Sequence, residues 1–231
     1  MTEAVFIPVD SAPADDFDPF ASGLIERIVP TTEAQREVWL GDRLSPDASL
    51  AYNESLRMRL RGALDAQALA AALDQLVARH ESLRATISPD GTQLLIGEAV
   101  PVGMAEHDLR SLEPAAQKRR LEDESLAAVL DPFELERGPL FRAALYSLSD
   151  IEHVLVLTAH HAVCDGWSWG VISQDLGLLY AEQIGAGPAL EAPARYSDYA
   201  AWETQEASSP AMQGHIDYWL SRFAGGSLPV L

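Results

Sequence analysis

Ala159-His160-His161-Ala162-Val163-Cys164-Asp165-Gly166-Trp167-Ser168 is the stretch from which the rest of the chain can be placed. Upstream, residues 151–158 set Val154, Val156 and Thr158 against Leu155 and Leu157. Both faces are largely apolar, as in a strand covered on both sides. Downstream, Val171, Ile172, Leu176, Leu179 and Tyr180 recur at helical spacing and predict a helix over 167–184. The turn between them holds two imidazoles, a carboxylate and a glycine. Successive side chains at a strand end point opposite ways, so one histidine can enter a cavity while the other turns back into the scaffold. Asp165 stands where a carboxylate caps the next helix or holds a cation. A neutral imidazole titrates near ~6.5 and suits general-base work. A lone histidine is more often a buried structural group; the doublet followed by Asp-Gly moves the reading toward chemistry.

Composition narrows the classes. The chain has 231 residues, 48% hydrophobic and 22% charged, enough for a real core in a globular protein, either one large domain or one lobe of a bigger one. No apolar run is long enough to span a bilayer and no secretory leader is visible, so cytoplasmic residence is the default. A net charge of -19 argues against nucleic acid and anionic membranes as partners. The single cysteine, Cys164, excludes an intramolecular disulfide and a multi-cysteine metal site, and reads as packing. Residues 1–22, with Asp10, Asp15, Asp16 and Asp18 among Pro8, Pro13 and Pro19, read as a flexible acidic leader, linker or docking segment.

Working outward, Thr32 and Gln35 have capping-box spacing ahead of a helix over 33–43, with Ala34, Val38 and Trp39 as its apolar contacts. Residues 53–62 alternate Leu56, Met58 and Leu60 with Arg57, Arg59 and Arg61, a half-buried strand with a basic outer face. A helix over 65–79 buries Leu69, Ala72, Leu73, Leu76 and Val77. A strand over 83–87, the turn Pro89-Asp90-Gly91 and a strand over 93–96 form a hairpin. Pro114 opens a helix over 115–130, where Lys118-Arg119-Arg120 reads as a solvated face, and a strand over 140–148 precedes the histidine strand. Further helices cover 197–207 and 210–223, the last ended by Gly225-Gly226. These segments make an α/β layered domain.

The His160-His161-x-x-x-Asp165-Gly166 stretch resembles the signature of condensation domains of nonribosomal peptide synthetases, shared with chloramphenicol acetyltransferase and other acyltransferases of that fold. Three further stretches resemble that family's motifs in its own order: Thr32-Glu33-Ala34-Gln35-Arg36-Glu37-Val38-Trp39, Arg79-His80-Glu81-Ser82-Leu83-Arg84, and Tyr196-Ser197-Asp198-Tyr199-Ala200-Ala201-Trp202-Glu203. Tyr218-Trp219-Leu220 and Leu228-Pro229 match the passage into the family's second half, so the likeness covers about residues 30–231. The first of these motifs, with Ala51-Tyr52-Asn53-Glu54, resembles condensation domains that follow polyketide modules.

The resemblance implies a chloramphenicol acetyltransferase-like fold, a two-layer sandwich of a mixed sheet packed with helices. Residues 23–231 would form the N-terminal lobe of a two-lobed domain with a tunnel between the lobes; the C-terminal lobe's motifs have no counterpart here. Donor and acceptor thioesters would arrive on phosphopantetheine arms of carrier proteins, and the chain itself would bind no cofactor or metal. The implied reaction is attack of an aminoacyl amine on an acyl thioester, giving an amide. The implied catalytic set is His161, as general base or as a positioning hydrogen-bond acceptor, His160, and the Gly166 backbone N–H for the oxyanion, with Trp167 and Ser168 facing the tunnel. An arginine in an apolar strand needs an anion or a route to solvent. In the family it pairs with the signature aspartate, which implies an Arg84–Asp165 clasp. Half a tunnel is not expected to turn over substrate. The alternatives are a stand-alone CoA-dependent acetyltransferase trimer and a noncatalytic carrier-docking lobe. Against the trimer, about 65 residues follow Gly166, more than one closing helix needs.

Overall fold

The computed structural model describes residues 24–224; the acidic leader at 1–22, Gly225-Gly226 and Leu228-Pro229 lie outside them. The order is β1 (Ile25–Pro30), α1 (Glu33–Asp42), α2 (Pro46–Ala51), β2 (Asn53–Arg61), α3 (Ala66–Arg79), a 3-10 turn (Glu81–Arg84), β3 (Ala85–Ile87), β4 (Gln93–Gly97), β5 (Ala105–Asp108), α4 (Pro114–Leu130), β6 (Phe141–Ser149), β7 (Glu152–His160), α5 (Gly166–Gln183), α6 (Tyr196–Glu206) and α7 (Pro210–Phe223). Together they form the mixed α/β architecture expected.

The histidine strand β7 is central. It lies in a four-stranded sheet ordered β2-β7-β6-β5, antiparallel except for the parallel β5–β6 pair. Leu155 and Leu157 join Leu69, Leu73 and Leu76 of α3 and Ile172, Leu176 and Leu179 of α5 on one face. Val154 and Val156 meet Leu109, Tyr146 and, from α4, Leu121 on the other. Each fully buried aliphatic side chain is worth ~1.5–3 kcal/mol, so a strand apolar on both faces belongs in the middle of the sheet. The alternating strand β2 takes the edge. Its arginines face solvent, where a charged row also discourages pairing with another chain, and Arg59 reaches Glu152 at 3.4 Å.

A second core lies under the three-stranded sheet β1-β4-β3. Ala85, Ile87, Leu94 and Ile96 pack there against Val38 and Trp39 of α1 and against Ala162 and Val163 of the histidine loop. The capping box forms as its spacing predicts: Thr32 Oγ1 accepts from the Gln35 N–H, and the Gln35 side chain accepts from the Thr32 N–H at 3.2 Å. In α3 the buried residues are the five that the periodicity selects, with Asp65 as N-cap.

The departures occur where the elements are short. The strand expected over 83–87 begins only at Ala85, because residues 81–84 close a 3-10 turn that directs Leu83 into the core. β1, α2 and β5 lack a full hydrophobic period and were not expected. Of these, α2 does carry a local signal, since the Ser45 side chain accepts from Ala48 N and Pro46 opens the first turn.

Candidate active site at the end of the histidine strand

The two imidazoles diverge, as successive residues leaving a strand should. His160, expected in the catalytic set, is wholly buried and does not line the cleft into which His161 opens. Its Nδ1 accepts from the Ala162 backbone N–H at 3.2 Å, so the proton sits on Nε2, which lies 3.4 Å from Asp42 Oδ1. Tyr52 and Phe133 enclose the ring at 5.9 and 6.2 Å between centroids. Burial is the strongest influence on the Asp42 carboxyl and pushes it up. Interactions with His160 and the Ser49 hydroxyl outweigh it, and the group titrates below its ordinary range.

His161 is 36% exposed at its side chain. Its Nδ1 lies 2.8 Å from Glu54 Oε1 and 3.1 Å from the Cys164 carbonyl. Both neighbours only accept, so in the neutral ring Nδ1 carries the proton and Nε2 the lone pair. The Tyr52 ring stacks on the imidazole at 6.4 Å. The cleft, of 200 Å³, is lined by His161, Asp165, Ser168, Gln35, Val38, Ser82 and Tyr196. A larger cavity of 310 Å³ lies beside Arg84, Val100 and Pro139 and contains neither histidine of the doublet. It offers no open imidazole, so the smaller cleft is the chemical candidate.

The Arg84–Asp165 clasp is not formed. Arg84 Nη1 bonds to Glu26 at 2.7 Å and to the Gly97 carbonyl, both supplied by strands of the three-stranded sheet. With β1 unforeseen, Glu26 was not available as a candidate partner. Asp165 instead caps α5, accepting from the Ser168 N–H at 2.8 Å and the Ser168 hydroxyl at 2.6 Å. The Ser168 hydroxyl is the main reason that the carboxyl lies below its ordinary value of 3.8, with the backbone N–H and the nearby His161 adding to the shift. A lowered carboxyl stabilises the fold fully above its unfolded value and loses that contribution as pH falls through the lower, folded one. Asp165→Ala should cost about 1 kcal/mol in urea unfolding near neutral pH, with the difference shrinking in strong acid. Equal urea midpoints at neutral pH would show that the cap is dispensable.

The other motifs fasten elements around the cleft. Gln35 donates from Nε2 to the Ala162 carbonyl at 3.0 Å, tying α1 to the loop. Arg79 Nε and His80 Nε2 converge on Asp175 of α5 at 2.8 and 2.9 Å. Buried Glu81 accepts from the Ser197 N–H at 3.0 Å and faces Arg27 at 3.5 Å, joining α6 and β1. Of the residues expected to face a tunnel, Ser168 lines the cleft, whereas Trp167 projects from it, 84% exposed. Glu54 and Asp42 were absent from the expected site. Glu54 is brought opposite Ala159 by cross-strand register, a long-range pairing that no local pattern announces.

Cys164 is buried, and its thiol is pushed up to about 12, first by burial and then by the Glu54 and Asp165 carboxylates. Thiolate is the reactive species, so iodoacetamide at pH 8 should leave the native protein unmodified and label it fully once denatured. Rapid native labelling, read by intact mass, would contradict the packing role. Among the described residues no group of three His, Cys, Asp or Glu is placed to hold a metal ion. No helix among them is long and apolar enough to cross a membrane.

Comparison with known proteins follows the same lines. The condensation-domain family model matches residues 25–231. Chondramide synthase cmdD of Chondromyces crocatus is 37% identical over 201 residues, covering 85% of this chain and 5% of that protein. Malpibaldin synthetase of Mortierella alpina is 34% identical over 196 residues, covering 83% of this chain and 4% of its own length. Among solved structures, the starter condensation domain of rhizomide synthetase RzmA superposes with a TM-score of 0.78 at 27% identity, over 88% of this chain and 49% of that one. The chain therefore spans about half of a solved condensation domain and a small part of the synthetases.

Proposed function

We propose that this chain, which belongs to the condensation-domain family, supplies the histidine-bearing lobe of a domain that forms amide bonds between carrier-bound substrates. The observation that carries the reading is the His161 ring, which lines the cleft while its Nδ1 is held against Glu54 and the Cys164 carbonyl. An aminoacyl amine attacking an acyl thioester forms a C–N bond, breaks the C–S bond and must lose a proton. Nε2 takes that proton, which is then available to the departing sulfur. The Gly166 N–H, at the start of α5, is suited to steady the oxyanion at the positive end of the helix. Holding two tethered substrates together lowers the barrier by as much as ~7–11 kcal/mol, so the base is one contributor among two.

The partners of this reading are donor and acceptor carrier proteins, whose phosphopantetheine arms bring the thioesters, and a C-terminal lobe that closes the tunnel. Supporting the lobe, α7 leaves Ile216, Trp219, Leu220 and Phe223 each more than 40% exposed, an apolar face that a monomeric surface rarely presents. The test is to append a condensation-domain C-terminal lobe and incubate the product with loaded carrier proteins. Intact mass of the acceptor carrier should increase by the donor acyl group. Acetyl transfer from CoA by a stable trimer of this chain alone would overturn the reading in favour of a stand-alone acyltransferase. Carrier binding without any acyl transfer by the completed domain would make it a docking lobe.

A further inference from the structure

The Glu54 carboxylate touches two groups that nothing in the sequence connects. Oε1 is 2.8 Å from His161 Nδ1, and Oε2 accepts from the Trp169 indole N–H at 2.9 Å. Trp169 stands on the first turn of α5 and Glu54 on β2 beside β7, so one side chain joins the edge strand, the loop and the helix that opens the cleft. We propose that Glu54 is a positioning residue for the reaction, one that holds His161 in the tautomer with Nε2 unprotonated and facing the cleft, and that Trp169 fixes which carboxylate oxygen meets the ring. The inference rests on His161 acting as the base.

The chemistry follows from donor and acceptor counts. A carboxylate accepts at both oxygens, so it takes the indole N–H at one while the other stands 2.8 Å from Nδ1, beside the hydrogen bond that Nδ1 makes to the Cys164 carbonyl. It also favours the imidazolium that forms when Nε2 takes the amine's proton. A carboxamide cannot do both. In Glu54→Gln the one carbonyl oxygen serves either the indole, which turns the NH2 toward Nδ1 and favours the opposite tautomer, or the imidazole, which sets NH2 against the indole N–H. Removing the indole donor resolves that conflict. The Cys164 carbonyl still accepts from Nδ1, which limits the damage.

The test uses the domain completed by its second lobe, assayed at saturating loaded carriers. Glu54→Gln should lower kcat by about ten- to a hundred-fold with KM for the acceptor carrier changed less than about two-fold. Trp169→Phe alone should cost less than Glu54→Gln. The double variant Glu54→Gln/Trp169→Phe should be faster than Glu54→Gln, because the carbonyl is then free to turn to Nδ1. Long-range 15N NMR of the 231-residue chain gives an independent readout. His161 Nε2 should be the unprotonated nitrogen in the native chain and lose that character in Glu54→Gln. A Glu54→Gln domain with unchanged kcat, or a double variant whose losses simply multiply, overturns the inference while a His161→Ala domain slowed by about 10²-fold or more leaves the base assignment standing. A His161→Ala domain with unchanged turnover overturns both. Should Glu54→Gln fail to fold, Trp169→Phe decides through the NMR readout, since unaltered His161 nitrogen shifts would overturn the coupling.

Discussion

In a domain completed by its second lobe, His161→Ala lowers the rate of amide formation by about 10²–10⁴-fold and leaves the fold intact. The rate follows from what is removed: a base aligned in the cleft contributes about that much when the proton leaves in the transition state. A floor remains because the two tethered arms still meet. The intact fold follows from exposure. The ring is 36% exposed and the Glu54 side chain behind it 31%, so alanine leaves no buried charge without solvent. The unfolding free energy of the chain should change by less than about 1 kcal/mol, as for other partly exposed sites. Single-turnover assays with loaded carriers, read beside urea unfolding, separate the two effects. Unchanged turnover in a folded His161→Ala domain would remove the base from the mechanism.

How far the sequence announces this arrangement depends on the range over which each signal acts. Asp65 and the five buried residues of α3, the Thr32–Gln35 box and the alternation of β2 all lie within a few residues of their partners, and the structure has them as the pattern dictates. The central place of β7 is also legible, because a strand apolar on both faces has nowhere else to go. The contacts that tune the histidines are different. Glu54 meets His161, and Asp42 faces His160, only after an edge strand and a helix from early in the chain are laid against β7. The Arg84–Asp165 pairing failed for the same reason. The true acceptor, Glu26, sits on a strand whose residues show no clean period, while Asp165 already had a closer donor in Ser168. A local signal also fixes a residue's conformation without fixing its partner: Arg84 ends the turn at 81–84, and no pattern within 83–87 names Glu26 as its acceptor.

His160 should behave in the opposite way to its neighbour. His160→Ala is expected to lower the unfolding free energy by about 3–5 kcal/mol, a large share of the 5–15 kcal/mol typical of a domain. Two costs combine. The ring is fully buried between Tyr52 and Phe133, and deleting a side chain of that size from a core opens a cavity worth ~2–5 kcal/mol. Its removal also strands the buried Ala162 N–H, whose acceptor was Nδ1, at ~1–3 kcal/mol. Collapse around the cavity recovers part of the first cost, so the two do not add in full. His160→Asn separates them: its carbonyl is able to accept from Ala162, while its shorter amide neither fills the cavity nor reaches Asp42 as Nε2 does, so it should recover roughly half of the loss. Urea midpoints for both variants give the comparison. In the completed domain, turnover per folded molecule should stay near normal in His160→Asn, because the ring never reaches the cleft. A His160→Ala chain as stable as the parent would contradict this placement, and a fully folded but inactive His160→Asn domain would return the residue to the chemistry.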